Sequence, residues 1–344
     1  MTKKCLPLTL IAALSATNVH AQEEVDLDFY ASIRMGFDYI DADTKDDGVN
    51  GRDYLSRVGF KADMDLGNGL TGFTQVEYGV RSGNFVDFVQ MGYPTLRLAL
   101  VGLQGDWGKL VYGSQVNIWH KFVRGSYFSD GLDSSRQAVI ADDDLLQYYH
   151  SVGKFSFGIG THLERQDGDN IDQIQVGGQY IAGPVTLQAA YSKDQRGENT
   201  GGLLGLRAFW KINEKVTLSA YTHRADQDYD LYAGSMTGDV RLRDAALNGN
   251  VNGIPSCRTE KRDSTGIYGR YRVGANQFHA RFAVDSCDIS GDVESIKVEY
   301  ARYLSKNYRA WIAYEDLSND EGRKPASTSG KNMSELQVGV RMDF

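Results

Sequence analysis

The histidines, acids and glycines of this chain are spaced too widely to make a reactive centre by motif. His120, His150, His162, His223 and His279 stand apart, with no His-Glu-x-x-His pair to hold zinc on one helical face. Asp41-Ala-Asp-Thr-Lys-Asp-Asp-Gly48 approaches a calcium loop, but Lys45 occupies a ligand position and the glycine is displaced, so a solvated loop is expected. Gly102 to Lys109 imitates a phosphate loop with the wrong spacing, and Leu110 replaces the Ser or Thr. No Ser or Asp pairs with a His in the way a hydrolase needs. The expectation is no catalytic residue, no metal, no cofactor and no enzyme. What remains is a set of arginines, Arg34, Arg57, Arg81 and Arg97, on the polar face of alternating segments. Guanidiniums in a row act electrostatically: they attract, order or repel ions and dipolar solutes.

The elements that carry them are strands. From Asp26 to Ile40 the sequence alternates, with Leu27, Phe29, Ala31, Ile33, Met35, Phe37 and Tyr39 on one face and Asp28, Tyr30, Ser32, Arg34, Gly36 and Asp38 on the other. Tyr54 to Leu66 and Leu70 to Arg81 repeat the pattern across a Gly67-Asn68-Gly69 turn and make a hairpin. Further strands are predicted near 95–104, 109–114, 144–150, 155–164, 173–181, 185–193, 202–211, 216–224, 264–273, 278–285, 293–304, 308–315 and 334–344, about sixteen in all. The last ends on Phe344, with Leu336, Val338, Val340, Met342 and Phe344 on one face and Glu335, Gln337, Gly339, Arg341 and Asp343 on the other. Short turns alternate with long polar loops, the longest near 114–143 and 225–263. Apolar-face aromatics gather beside the short turns: Phe29, Phe155, Phe157, Tyr180, Trp210, Phe278, Tyr308 and Phe344. Rings at one level suit a membrane interface, and a closed barrel with so many charges inside needs a wet interior.

The start of the chain reads as an export signal, residues 1–21: Lys3 and Lys4, an apolar stretch from Leu6 to about Ala16, then Val19-His20-Ala21 with small residues placed for cleavage. The barrel then occupies 22–344. Cys257 and Cys287 remain, and an oxidising compartment favours one disulfide between them. After the signal no apolar run reaches about 18 residues, so a spanning structure has to be a closed barrel. Without Lys3 and Lys4, 35 basic residues face 45 acidic ones, a formal charge of −10 that argues against nucleic acid as a partner.

Several segments together resemble the general bacterial porin family, the trimeric sixteen-stranded outer-membrane channels. They are Asp28-Phe-Tyr-Ala-Ser32, Ser56-Arg-Val-Gly-Phe-Lys-Ala62, Leu70-Thr-Gly-Phe-Thr-Gln-Val-Glu-Tyr78, Leu96-Arg-Leu-Ala-Leu-Val-Gly-Leu103, Gly108-Lys-Leu-Val-Tyr-Gly113, Val298-Glu-Tyr300, Leu304-Ser-Lys306 and the terminal Phe344. The resemblance implies an all-β, sixteen-stranded antiparallel transmembrane barrel whose third external loop, 114–143, folds inward. It implies a passive channel for ions and small hydrophilic solutes, with outer-membrane lipid, lipopolysaccharide and two further copies of the chain as partners. Arg57 and Arg97 match the family's basic ladder, and Arg34 and Arg81 share its face. Asp130, Asp133 and the Asp142-Asp143-Asp144 run are candidates for the acidic loop side, and Phe344 for the signal read by the assembly machinery. The loop lacks the family's Pro-Glu-Phe-Gly-Gly-Asp stretch, and Gln147, Tyr148, Tyr149 and His150 stand where another arginine is usual. Trp119, His120, Lys121, Arg124 and Arg136 make the loop mixed in charge. Overall charge and the acidic loop predict a mild cation preference. The alternative is a solute-specific channel of the same fold, with Tyr30, Phe73, Phe209 and Trp311 as stacking surfaces.

Overall fold

A computed structural model describes residues 25–42, 45–80, 95–123, 128–129, 141–163, 171–194, 201–226, 261–287, 291–318 and 332–344. Its strands are β1 (Val25–Ala42), β2 (Lys45–Asp53), β3 (Arg57–Asp65), β4 (Thr71–Gly79), β5 (Thr95–Gly105), β6 (Gly108–Val116), β7 (Ala141–Val152), β8 (Phe155–His162) and β9 (Gln173–Ala182). They continue as β10 (Val185–Asp194), β11 (Gly202–Lys211), β12 (Val216–Ala225), β13 (Arg262–Val273), β14 (Asn276–Cys287), β15 (Gly291–Tyr303), β16 (Tyr308–Ser318) and β17 (Asn332–Asp343). One short helix, α1 (Ile118–Phe122), follows β6. Among the described residues no helix is long and apolar enough to cross a membrane.

Neighbouring strands pair antiparallel around a ring that closes where β17 meets β1, with Ser32 opposite Asp343 and Ala42 opposite Met333. Phe344 extends the seam: its backbone N–H donates to the Ala31 carbonyl at 3.0 Å, and its own carbonyl accepts from Ala31 at 2.6 Å. β2 and β3 share one edge of β1, β2 along Met35–Ala42 and β3 along Val25–Ser32. They are two halves of one broken barrel strand, so the described segments form sixteen tracks.

The sequence reading begins this second strand at Tyr54 and treats Asp41 to Gly48 as a loop. The structure instead runs a hairpin through it, with Lys45 opposite Ala42, and breaks the strand at 54–56. Leu55 takes φ +68°, the Ser56 N–H donates to Asp53 Oδ1 at 2.7 Å, and the Tyr54 N–H donates to the Arg34 carbonyl at 2.9 Å. Side chains and a displaced backbone bond thus satisfy the groups that the break removes from the ladder.

Alternation sorts the side chains as the sequence predicts. Phe29 is 70% exposed and Phe344 61%, and Phe155, Tyr180, Trp210 and Phe278 are exposed beside the short turns, while Phe157 and Tyr308 are half-buried. Tyr39, Tyr191 and Tyr314 are exposed nearer the long-loop end. Polar residues turn inward, including Ser32, Arg34, Asp38, Gln175, Arg207 and Glu299. An apolar exterior between aromatic levels is what a hydrocarbon slab selects. The β3–β4 hairpin needs left-handed backbone at Gly67 (φ +80°), Asn68 (φ +53°) and Gly69 (φ +74°), which explains its composition.

At the seam, a Cβ on Gly36 would lie 2.0 Å from the Val338 carbonyl oxygen, whereas one on Gly48 meets nothing within 4 Å. Gly36→Val is therefore expected to destabilise the barrel by about 1–3 kcal/mol or to block closure, and Gly48→Val to leave it unchanged. The temperature at which the folded band is lost in detergent electrophoresis reports both.

Candidate functional site

The interior wall along β16, β17, β1, β3, β4 and β5 carries Arg309, Arg341, Arg34, Arg57 and Arg97. Register places Arg34 opposite Arg341, Arg341 opposite Arg309, and Arg57 opposite Ser32. The main counter-charge between Arg57 and Arg97 is Glu77 of β4, which is 4% exposed. Arg57 Nε lies 3.6 Å from Glu77 Oε2, and Arg97 Nη1 pairs with Glu77 Oε1. Tyr30 Oη donates to Glu77 Oε2 at 3.0 Å and accepts from Gln75 Nε2 at 2.7 Å. At the rim, Arg341 Nε is 2.8 Å from Asp343. Within this cluster five guanidiniums thus meet two carboxylates, Glu77 and Asp343.

Arg97 reaches the interior through a bulge. Glu77 pairs with Leu98 and Tyr78 with Leu96, so Arg97 is the extra residue. The bulge lets both Arg97 and the buried Leu98 turn inward, which strict alternation forbids. Arg34 is buried at 3% exposure, its Nε donating to Ser32 Oγ at 2.9 Å and its backbone N–H to Ser56 Oγ at 2.8 Å.

Other inward charges are paired across strands. Arg52 contacts both Asp38 and Glu335. Glu315 takes Arg281 at 2.8 Å and Lys297 at 3.3 Å, and Arg262 lies 3.2 Å from Asp285. Such pairing across facing strands is how buried charge is tolerated. The four predicted aromatics also face this side: Lys61 Nζ is 5.4 Å from the Tyr30 ring, Lys109 Nζ 4.0 Å from Phe73, and the Arg207 guanidinium 3.9 Å from Phe209. Trp311 is buried edge-on against Tyr54, 5.4 Å between centroids.

The segment after β6 makes α1, capped by Asn117, whose side chain accepts from the His120 N–H at 2.7 Å. Its Ile118 N–H donates to Gln175 Oε1 at 2.8 Å. Ile118, Trp119, Phe122 and Val123 cluster with Ala190, Leu203 and Ala225, on the same strand face as Arg207 and His223. Glycines make room for them: a Cβ on Gly177 would lie 2.6 Å from Phe122, and one on Gly205 would lie 2.8 Å from Trp119. Farther on, the Phe128 ring is 6.0 Å from Tyr268, and the Ser129 N–H and Oγ donate to Glu299 at 2.7 and 2.8 Å.

Of the predicted site residues, Arg34, Arg57 and Arg97 stand together. Arg81, Asp130, Asp133 and Cys257 lie outside the described residues, and Cys287 ends β14 with only its backbone described. Asp142 and Asp143 lie near the start of β7, where Asp142 pairs with Gln115 and both face His162. Asp144 accepts from Tyr112 Oη at 2.8 Å. The predicted site lacks Glu77, Arg309, Arg341 and Tyr54. Alternation already put Glu77 and Arg341 on the polar face, but their partners needed strand register.

Glu77→Gln keeps an acceptor for Tyr30 and removes the charge between Arg57 and Arg97. It is expected to lower barrel stability by about 1–3 kcal/mol, measured as a lower unfolding temperature in detergent.

The profile of the Gram-negative porin family matches residues 8–322. An outer membrane porin protein of Bordetella pertussis (strain Tohama I) is 29% identical over 233 residues, covering 56% of this chain and 60% of the relative. The monosaccharide porin of a Halomonas species is 26% identical over 217 residues, covering 55% of this chain and 59% of the relative. The chain thus spans about 60% of the length of these curated relatives. In fold, the anion-selective porin from Comamonas acidovorans superposes with a TM-score of 0.69 at 17% identity, covering 93% of this chain and 100% of that one. With a closed antiparallel barrel, an apolar girdled exterior, a charged interior and a family match over most of its length, the protein belongs to the Gram-negative porin family and is an integral β-barrel of the outer membrane.

Proposed function

We propose that the protein is a water-filled channel through which ions and small hydrophilic solutes diffuse passively. The observation that carries this reading is the interior wall itself, with Arg34, Arg57, Arg97, Arg309 and Arg341 set against Glu77 and Asp343. So much guanidinium at one wall is sustainable only beside water. Arg57 and Arg97, with Arg34 and Arg81, form the basic side of a constriction. The third external loop folds inward to narrow the channel, supported by the packing of α1 on β9 to β12 and by the Ser129 bonds to Glu299. Asp130 and Asp133 supply the acidic side from that loop, with Asp142 and Asp143 at its root. No catalytic function is proposed.

The wall favours anions. The net charge of −10 behind the cation expectation counts every acid in the mature chain, whereas permeation responds to the charges lining the path. In planar bilayers under a salt gradient, the reversal potential is expected to show anion preference, and Arg57→Gln with Arg97→Gln to cut the anion-to-cation permeability ratio several-fold. Cation preference in the parent would sink the assignment.

Lys121 adds a pH term. Its side chain is solvent-exposed yet ringed by protein, and this desolvation, with Lys109 nearby, lowers its pKa to about 8. The ammonium is charged below that pH and neutral above it, so anion preference should fall as pH rises from 7 to 9. Lys121→Gln should remove that step.

A solute-specific channel is the second reading, favoured by the rings of Tyr30, Phe73 and Phe209 beside cations and by the monosaccharide porin among the relatives. Current blocked by millimolar sugar would select it; unblocked ohmic current selects the general pore.

The channel works as a homotrimer embedded in outer-membrane lipid and lipopolysaccharide, after export and removal of residues 1–21. Cys257 and Cys287 form a disulfide joining two external loops. Phe344 serves in assembly as well as at the interface, so its deletion should impair insertion more than conductance.

A further inference from the structure

We propose that a groove on the lipid-facing surface of β8 to β12 binds one anionic phospholipid of the periplasmic leaflet, with an acyl chain in the groove and the phosphate among Lys154, Lys211 and Lys215. The groove has a volume of about 1060 Å³. Strand register sets its shape. Tyr180, Leu187, Ala208 and Ala220 follow one another across β9 to β12, and Gly178, Ala189, Leu206 and Thr222 form the next row toward the long loops. The small residues Gly178, Ala189, Ala208 and Ala220 make the floor, and the exposed Phe155, Tyr180, Leu187 and Leu206 make the walls. A Cβ on Gly178 would lie 3.3 Å from the Phe155 ring, which is itself stacked on Phe157 with centroids 5.9 Å apart.

Such a depression selects its occupant in two ways. Wall atoms that face a void forfeit dispersion contacts, so a flexible hydrocarbon chain that enters the groove gains what a flat neighbouring surface cannot. The Thr222 hydroxyl at the far end is within 3.1 Å of Thr265 Oγ1, so the two satisfy each other inside hydrocarbon.

The headgroup is argued from the charge at the short-turn end. The Lys154 carbonyl accepts from the Ile181 N–H at 3.0 Å, the Lys211 N–H donates to the Pro184 carbonyl at 2.9 Å, and the Lys215 carbonyl accepts from the Arg272 N–H at 2.8 Å. These residues therefore stand along one rim beneath the groove. All three lysines are exposed, with Glu214 as the acid among them, whereas Asp65 and Asp106 stand at the turns of β3 to β6. Short turns of outer-membrane barrels face the periplasm, where the leaflet is phospholipid. Ammonium groups at that level attract an anionic headgroup and leave a zwitterionic one with the chain contacts alone. The groove faces lipid and lies outside the permeation path, so failure of this site leaves the channel reading intact.

The test is native mass spectrometry of the folded, delipidated barrel after incubation with phosphatidylglycerol or with phosphatidylethanolamine of the same acyl chains. Expected is one phosphatidylglycerol retained per chain, at about tenfold the level of phosphatidylethanolamine. Lys154→Gln, Lys211→Gln and Lys215→Gln together, all at exposed positions, should abolish that preference. Ala189→Phe fills the groove, leaves the turns intact and should cut retention of both lipids. Equal retention of the two lipids by the parent would overturn the proposal. So would phosphatidylglycerol retention unchanged by the triple variant, even if Ala189→Phe fails to fold. An altered oligomeric state in Ala189→Phe with the lipid still retained would assign the groove to a neighbouring copy and overturn it as well.

Discussion

Everything in this molecule follows from the absence of water in hydrocarbon. A backbone N–H or C=O left unpaired there costs several kcal/mol, so a sheet that enters a membrane has to close on itself. The closing bond row is β1 against β17, extended to the last residue by the reciprocal bonds between Ala31 and Phe344. Gly36, where the Val338 carbonyl leaves no space for a side chain, lies in that same row. Where the second track breaks, Asp53, Ser56 and the Tyr54 N–H take over the lost bonds, so the ring survives the interruption.

Closure fixes the rest by alternation. If one face of every strand meets lipid, the other meets the interior, and polar residues there are brought together from distant parts of the chain. Arg52 meets Glu335 across the seam, and Arg281 and Lys297 share Glu315. Those pairs are balanced, and the cluster of Arg309, Arg341, Arg34, Arg57 and Arg97 is the exception, where five guanidiniums meet Glu77 and Asp343. That imbalance gives the wall its field, and the field gives the channel its preference.

The strands and their two faces were legible in the sequence because a period of two needs no knowledge of partners. Arg34, Arg57, Glu77 and Arg341 could be placed on the polar face by counting. What counting could not reach were the irregularities. The bulge at Arg97 and the break after Asp53 exist only relative to a neighbouring strand; the first turns the buried Leu98 inward beside Arg97, and the second redirects Tyr54. The hairpin through Lys45 was hidden because Lys45-Asp-Asp-Gly48 has the composition of a loop. Asp142 and Asp143 looked like loop acids by their run of charge, yet strand pairing carries them onto the wall beside His162.

The central claim is a lipid-facing exterior wrapped around a watery interior, and β3 offers its most direct test. Single cysteines at Lys61 and Asp63, which face inward, and at Phe60 and Ala62, which face outward, would be introduced after replacing the native cysteines. They would then be exposed in membranes to a charged, water-soluble thiol reagent. The account predicts rapid labelling at 61 and 63 and protection at 60 and 62. Uniform labelling, or the reverse alternation, would contradict it.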